Sequence, residues 1–309
     1  MSDIILHHYS TSPFAEKVRA IMGAKQLSWR SVTIPRIMPK PDLIALTGGY
    51  RRTPVLQIGA NIICDTALIA RKLNNLTTDN DLYPASSGLS AQALASWADS
   101  YLFQCAVPLG FRPEVMTQVF DGDEAAMKAF LTDRAAMRKG SPAPRMPFSE
   151  AENGLMLALK NFEEQLQNGQ TYLFGEAPCI ADFSVYHPLW FLITKPIAKD
   201  ILNDFPNILK WMENIAKLGH GDPEQMSSEA AIEIARSSQI VTKSASSSLG
   251  TIQPGAKIVV QPTDYGIDPV EGEFLYCDEF EVVLKREDER AGTVAVHFPR
   301  VGYMVTTTE

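Results

Sequence analysis

The sequence predicts an α/β domain, then an all-α bundle, then a small all-β module, and three observations carry that prediction. Over residues 1–84 short apolar runs and helical stretches follow one another in the order β-α-β-α-β-β-α, the pattern of a sheet with helices packed on it. From about 85 to 236 apolar residues recur at helical spacing. Beyond a serine-rich linker, 237–249, residues 250–309 break into short alternating runs punctuated by glycine and proline. A chain of 309 residues that is 45% hydrophobic suits two or three domains.

The first strand is read at Ile4-Ile5-Leu6. A helix follows, on which Phe14, Val18, Ile21 and Met22 share one face. Pro13 suits the first helical position, where its missing N–H costs nothing, and Ser12 then falls at the N-cap beside the unpaired amides of the first turn. A serine at a helix N-terminus is a place where a thiolate or other anion can rest. Trp29 to Ile34 is a second strand. Pro35, Pro39 and Pro41 leave room only for a short helix near Asp42–Leu46. Val55–Ile58 and Ile62–Cys64 form a hairpin around Gly59-Ala60-Asn61, and Asp65-Thr66 opens a helix through Leu68, Ile69 and Leu73.

In this order Ser12-Pro13-Phe14, Lys17-Val18-Arg19, Thr53-Pro54 and Asp65-Thr66 resemble the thioredoxin-like domain of glutathione transferases. The Ser-Pro-Phe motif is closest to the tau-class pattern and is similar to omega-class sequences, which carry cysteine where this chain has Ser12. The resemblance implies a thioredoxin-like glutathione-binding domain over 1–84, a transferase-type helical domain over 85–236 and an additional β-rich module over 250–309. It implies that Thr53, before a cis Pro54, offers backbone groups to the cysteinyl part of glutathione. Asp65 and Thr66 would grip the γ-glutamyl end, and Arg52 stands where tau-like members place a lysine near the glycyl carboxylate. A homodimer is expected on the same ground.

The chemistry expected of Ser12 can be stated from the residue itself. A free cysteine thiol titrates near pH ~8.5, so little of it is thiolate at neutral pH. A hydroxyl donating to sulfur at a helix N-terminus favours only the ionised form and lowers the thiol pKa. Ser12 is thus a stabilising donor rather than a nucleophile. Tyr9 and Ser10 are rivals for the role. Plainer readings stand beside these: Ser12 and Asp65-Thr66 as ordinary caps, Thr53-Pro54 as a loop proline, and Arg51-Arg52 as a solvated charge pair.

Composition narrows the partners. A net charge of -8 and a pI near 5.3 argue against nucleic acid or an anionic membrane. Cys64, Cys105, Cys179 and Cys277 are scattered, and adjacent His7-His8 face opposite sides of a strand, so neither a disulfide framework nor a metal site is expected. The N-terminus does not read as a secretory signal, and no apolar run is long enough to span a bilayer; a cytoplasmic protein is expected.

In the middle segment helices are read from Leu89 to Val107, from Asp123 to Lys139 with Met127, Phe130 and Leu131 inward, after a capping box Ser149-x-x-Glu152, and from Asp204-Phe205-Pro206. A proline-rich loop, Ser141 to Pro147, lies between them. Cys179-Ile180-Ala181-Asp182-Phe183 is similar to the hydroxyl-Ile-Ala-Asp start of the transferases' core helix, with a thiol, a weak acceptor, in the hydroxyl position. Trp97, Tyr101, Phe103, Phe111 and Met116 are candidates to line a site for a hydrophobic electrophile. In the tail a helix is read over Glu224–Arg236, then strands at Lys257–Gln261, Phe274–Cys277, Phe280–Lys285 and Thr293–Phe298. Asp264-Tyr265-Gly266, Asp268-Pro269 and His297–Arg300 read as turns or as a site. The tail would cover the active-site mouth, extend a dimer interface or bind something else. The expected function is glutathione-dependent attack on a hydrophobic electrophile. The alternatives are a glutathione-dependent isomerase, lyase or peroxidase, and a non-catalytic transferase-like scaffold.

Overall fold

The computed structural model describes residues 3–142, 145–195, 198–241 and 249–308. Residues 242–248 of the expected linker and 143–144 of the expected proline-rich loop lie outside the described residues.

The amino-terminal segment is β1 (Ile4–His8), α1 (Pro13–Ala24), β2 (Ser28–Thr33), α2 (Pro41–Thr47), β3 (Val55–Ile58), β4 (Asn61–Cys64) and α3 (Thr66–Asn74). It is the thioredoxin-like layer. β1 runs parallel to β2 and antiparallel to β3, which pairs antiparallel with β4. Strand alternation sends Leu6, Leu56 and Ile63 to one face, under α1 and α3, and Ile5, Val55 and Ile62 to the other, under α2.

The helical segment begins with α4 (Gly88–Trp97), passes through a π-helical turn, Ala98–Leu102, and continues as α5 (Phe103–Gly110). α6 (Pro113–Val119), α7 (Glu124–Met137), α8 (Phe148–Leu166), α9 (Ile180–Ile193) and α10 (Pro206–Ala216) complete it. α9 is buried along almost its whole length. Asp182, fully buried, accepts from the Cys179 and Leu173 amides and from Trp211 Nε1 at 2.8–2.9 Å, so one carboxylate fixes the start of α9, a preceding loop and α10.

Three helix expectations need correction. α8 starts at Phe148 with Pro147 at its N-cap, because Glu152 turns to Arg112 (3.1 Å) instead of closing a box with Ser149. Leu131 on α7 is 42% exposed rather than inward. The stretch read as the start of a helix at Glu224 is β5 (Asp222–Gln225), an exposed edge strand parallel to β2; α11 (Ser228–Ser237) follows, capped by Ser227. Pro223 is compatible with that edge position, where no ladder partner needs its N–H.

The tail forms β6 (Lys257–Pro262), β7 (Val270–Cys277), β8 (Glu281–Asp288), β9 (Gly292–Pro299) and β10 (Tyr303–Thr307). These strands pair antiparallel among themselves, and β9 pairs parallel with β4, so that one sheet runs β10-β6-β7-β8-β9-β4-β3-β1-β2-β5. Val294, Val296 and Phe298 of β9 share a core with Ile62 of β4 and with Ala231 and Ala235 of α11. The seam is also polar. His297 Nδ1–H donates to Glu281 (2.8 Å), which also takes the Lys72 ammonium from α3 at 2.7 Å.

Candidate active site

α1 opens as its sequence dictates. Ser12 takes extended dihedrals, its Oγ accepts from the Ala15 amide at 3.2 Å, and Pro13 starts the helix. Ser12 is buried, and its own amide donates to the Tyr9 carbonyl at 3.2 Å. The Tyr9–Ser10 turn is held from inside the helix: Arg19 donates to the Ser10 carbonyl (2.8 Å), the Tyr9 carbonyl (3.4 Å) and His8 Nδ1 (3.0 Å), and pairs with buried Glu16 at 2.6 Å. Of the two rivals to Ser12, Ser10 is exposed and Tyr9 is half-buried with the Lys40 ammonium 5.7 Å from its ring centroid.

Lys40, between Pro39 and Pro41, is missed by sequence reasoning. It is buried and donates to Thr53 Oγ1 at 3.1 Å, so it spans the gap between the Tyr9 turn and the Thr53–Pro54 peptide, which is cis. Burial, with Arg134 and Arg51 adding to it and Asp133 opposing, pulls its pKa down to about 8. The loop that carries it is tied to α7: the Met38 amide donates to Asp133 (3.0 Å), and Arg51 pairs with the same carboxylate (2.9 Å).

Asp65 has a left-handed φ of 73° and caps α3 by accepting from the Ala67 amide at 2.9 Å; Thr66 beside it is buried. The second Asp65 oxygen accepts from the Tyr303 hydroxyl at 3.0 Å and lies 4.0 Å from Arg52 Nη1. Arg52 Nη2 donates to the Asp264 carboxylate and to the Tyr265 carbonyl, and the Tyr265 ring lies over the guanidinium, 4.2 Å from its centroid. Burial works against the Arg52 charge, and the Tyr265, Tyr50, Tyr303 and Asp264 groups outweigh it, holding the cation firmly. Burial raises Tyr265 to about 12, which keeps it a neutral phenol. The Arg51-Arg52 pair is therefore not solvated: their side chains are 11% and 13% exposed.

Arg52, Thr53, Pro54, Asp65 and Thr66 thus gather where β3 starts and β4 ends, with the tail residues Asp264, Tyr265 and Tyr303 directly on Arg52 and Asp65. The Asp264-Tyr265-Gly266 signal was visible as a glycine turn; its target was not, because the contact spans more than 200 residues of sequence.

On the other side of α1, Lys17 is wholly buried and reaches Asp99 in the π-helical turn at 2.6 Å. Asp99 also accepts from His187 Nε2 on α9 at 3.0 Å. Phe14 packs on Phe103 (4.7 Å between centroids) and on His187 (4.5 Å). Of the five residues expected near an electrophile, Phe103 is seen against α1. Phe111 packs on Phe130 and Phe191, Trp97 and Tyr101 stack on each other, and Met116 is buried. A separate cavity of about 200 Å³, lined by Glu16, Tyr186, Trp190 and His220, does not include Ser12. Among the described residues no group of three or more His, Cys, Asp or Glu is placed to hold a metal ion, and no helix is long and apolar enough to cross a membrane.

Comparisons with known proteins bear on the family and the fold. The model described as "Glutathione S-transferase, N-terminal domain" matches residues 6–80, and "Glutathione S-transferase, C-terminal domain" matches residues 149–219. A GST-like protein from Pseudomonas syringae is 42% identical, with a TM-score of 0.84 and full coverage of both chains. A glutathione S-transferase from Methylobacillus flagellatus with GSH bound is 19% identical, with a TM-score of 0.51, over 70% of this chain and 99% of its own. A beta-etherase from Sphingobium sp. is 17% identical, with a TM-score of 0.53, over 71% of this chain and 98% of its own. At such identities the last two share the fold. No curated protein matches the chain.

Proposed function

The chain belongs to the glutathione S-transferase family, and from that premise we propose that it is a glutathione-dependent transferase in which Ser12 steadies the thiolate for attack on a hydrophobic electrophile. The observation that carries the reading is the buried Ser12 hydroxyl at the α1 N-cap, two residues before the Phe14 that meets Phe103. Its oxygen is engaged by the Ala15 amide. Among the described residues its proton has no acceptor, so it is free to be donated to sulfur. A hydrogen bond to a charged group is worth roughly 1.5–3 kcal/mol net. At about 1.4 kcal/mol per unit, that lowers a thiol pKa by roughly one to two units from ~8.5. The thiolate share at neutral pH then rises from a few per cent toward half. The helix N-terminus adds to the effect.

In this reading Thr53, before Pro54, presents its backbone to the cysteinyl part, Asp65 and Thr66 receive the γ-glutamyl end, and Arg52 stands at the glycyl end. The residues present fit the thiol and the amine well: Asp65 is an acceptor at a helix start, and Ser12 is a buried donor at another. A homodimer in the cytoplasm, and an electrophile seated beside the Phe14–Phe103 pair between the thioredoxin-like and helical segments, belong to the same proposal. Retention on immobilised glutathione, with elution by the free tripeptide, tests it first. Thiolate absorbance should then appear on adding glutathione at neutral pH and be lost in Ser12→Ala but kept in Tyr9→Phe. No retention, and no turnover of any electrophile in a panel, would leave a transferase-like scaffold.

A further inference from the structure

We infer that the cavity between α1, α9 and α10 is a second ligand site, for a small uncharged single-ring phenol, separate from the site headed by Ser12.

The cavity measures about 200 Å³, and its walls are of two kinds. Ala20 of α1, Ile215 of α10 and the indole of Trp190 on α9 give an apolar surface. Tyr186, one turn before Trp190, and the Glu16 and His220 side chains give a polar one. An apolar hollow of ~150 Å³ takes one benzene ring, so this one has room for a ring with a hydroxyl on it. It opens to solvent past His220, whose side chain is 43% exposed, and past exposed Ala216 at the end of α10. The mouth is held in place: the His220 carbonyl accepts from Trp29 Nε1 at 2.8 Å, and the Asp222 amide donates to the Leu27 carbonyl at 2.9 Å.

The polar groups decide what fits. Tyr186 is 3% exposed and borders the cavity, and among the described residues its hydroxyl has no hydrogen-bond partner. Nearly all buried polar groups have a partner, so a phenol left without one points to an occupant. Burial and the Glu16 charge push the Tyr186 pKa up, with Arg19 opposing, and the group is a neutral donor. Glu16 Oε2 takes both Arg19 bonds, at 3.1 and 2.6 Å, whereas Oε1 takes His220 Nε2 at 3.0 Å and has a lone pair to spare. The Glu16 charge is already matched by Arg19, whose guanidinium lies 5.9 Å from the Trp190 ring centroid. A cationic ligand would meet Arg19 and an anionic one Glu16, each at the cost of its own desolvation, so an uncharged ligand is favoured. A phenolic hydroxyl answers both walls: its oxygen accepts from Tyr186, its O–H donates to Glu16 Oε1, and its ring lies against Ala20, Ile215 and Trp190.

Calorimetry on the full chain with phenol and toluene tests this. Phenol should bind wild type at least about tenfold more tightly, because toluene leaves the buried donor and acceptor unmet. Tyr186→Phe should weaken phenol by roughly three- to tenfold and leave toluene unchanged, since one hydrogen bond is lost. Ala216→Phe, at an exposed helix end, should close the mouth and abolish binding of both. Toluene binding as tightly as phenol, or no phenol binding up to about 10 mM, would overturn the inference. Unchanged phenol affinity in folded Ala216→Phe would overturn it too, by placing the ligand elsewhere. If one variant does not fold, the other and the wild-type ratio decide. None of these outcomes bears on Ser12, so the proposed function stands or falls separately.

Discussion

Replacing Asp99 by asparagine should loosen the clasp between α1 and the helical segment, and the structure sets the size of the effect. Lys17 is wholly buried and its ammonium lies 2.6 Å from Asp99; the Asp99 side chain is 21% exposed. Asparagine keeps the shape and can still accept from His187 Nε2, but it leaves a buried ammonium without a counter-charge. Breaking a buried pair costs ~3–5 kcal/mol, and the partial exposure of Asp99 places the expectation at the lower bound, about 3 kcal/mol. At ~2–4 °C per kcal/mol for domains of 150–250 residues, Tm should fall by roughly 6–12 °C. The double variant Lys17→Met, Asp99→Asn removes the stranded charge and should recover most of the loss, a coupling that calorimetric melts read directly. The pH dependence has a definite sign. Burial works to raise the Asp99 pKa, and Lys17 and His187 outweigh it, so the folded-state value lies below the ordinary one. A depressed acid contributes its stability above its unfolded pKa of ~3.9 and loses it as pH falls through the folded value, so wild type and variant should converge in that acid range. A Tm drop under about 2 °C, or a double variant whose losses simply add, would refute this account of the clasp.

Acid should unfold the protein through its buried histidines: burial brings His7 down to about 4, His8 to about 3, and lowers His187 as well. The unfolded chain takes these protons near pH ~6.5 and the folded chain does not, so stability should fall below that pH at about 1.4 kcal/mol per unit for each histidine; a urea midpoint that stays flat from pH 7.5 to 5.5 would contradict it. Gly23→Ala removes a helix glycine and by propensity alone would gain about 1 kcal/mol. Here the added Cβ would lie 2.1 Å from the Gly219 carbonyl oxygen, so a loss of about 1–3 kcal/mol in thermal melts is expected instead.

What the sequence made legible was local. Ser12 and Pro13 announce the start of α1, Asp65 the start of α3, and the runs around Gly59–Asn61 a hairpin, each within a few residues of itself. What it hid was pairing at a distance. β5 is Asp-Pro-Glu-Gln, wholly exposed, with no apolar alternation to betray a strand; only the neighbouring edge of β2 makes it one. Four of the five tail strands are readable by their alternation and β10 (Tyr303–Thr307) is not, and nothing in Val294–Val296 says that β4 lies beside them. Lys40 was passed over because a lysine between two prolines reads as a solvated loop residue, whereas the fold buries it against Thr53. The candidate site follows the same division. The capping residues could be named from spacing, while Asp264, Tyr265 and Tyr303 reach Arg52 and Asp65 only through the assembled sheet.

The Ser12–Arg19 stretch carries two cations and one anion, and their bookkeeping bears on the chemistry at its head. A carboxylate in the first turn would oppose an anion bound at the α1 N-terminus. Glu16 is such a carboxylate, yet it is paired with Arg19 at 2.6 Å and hydrogen-bonded by His220 at 3.0 Å. Burial alone would raise its pKa, and these two partners more than offset that, so Glu16 stays ionised with its charge answered by Arg19 and His220. Lys17 would favour a thiolate, yet its charge is spent on Asp99. With each side-chain charge closed by a partner, the local donors left for an anion at the head of α1 are the Ser12 hydroxyl and the first-turn amides. Both are short-range and directional, so a serine there can select an atom's position as well as its charge, which a nearby lysine, acting as a point charge, would not.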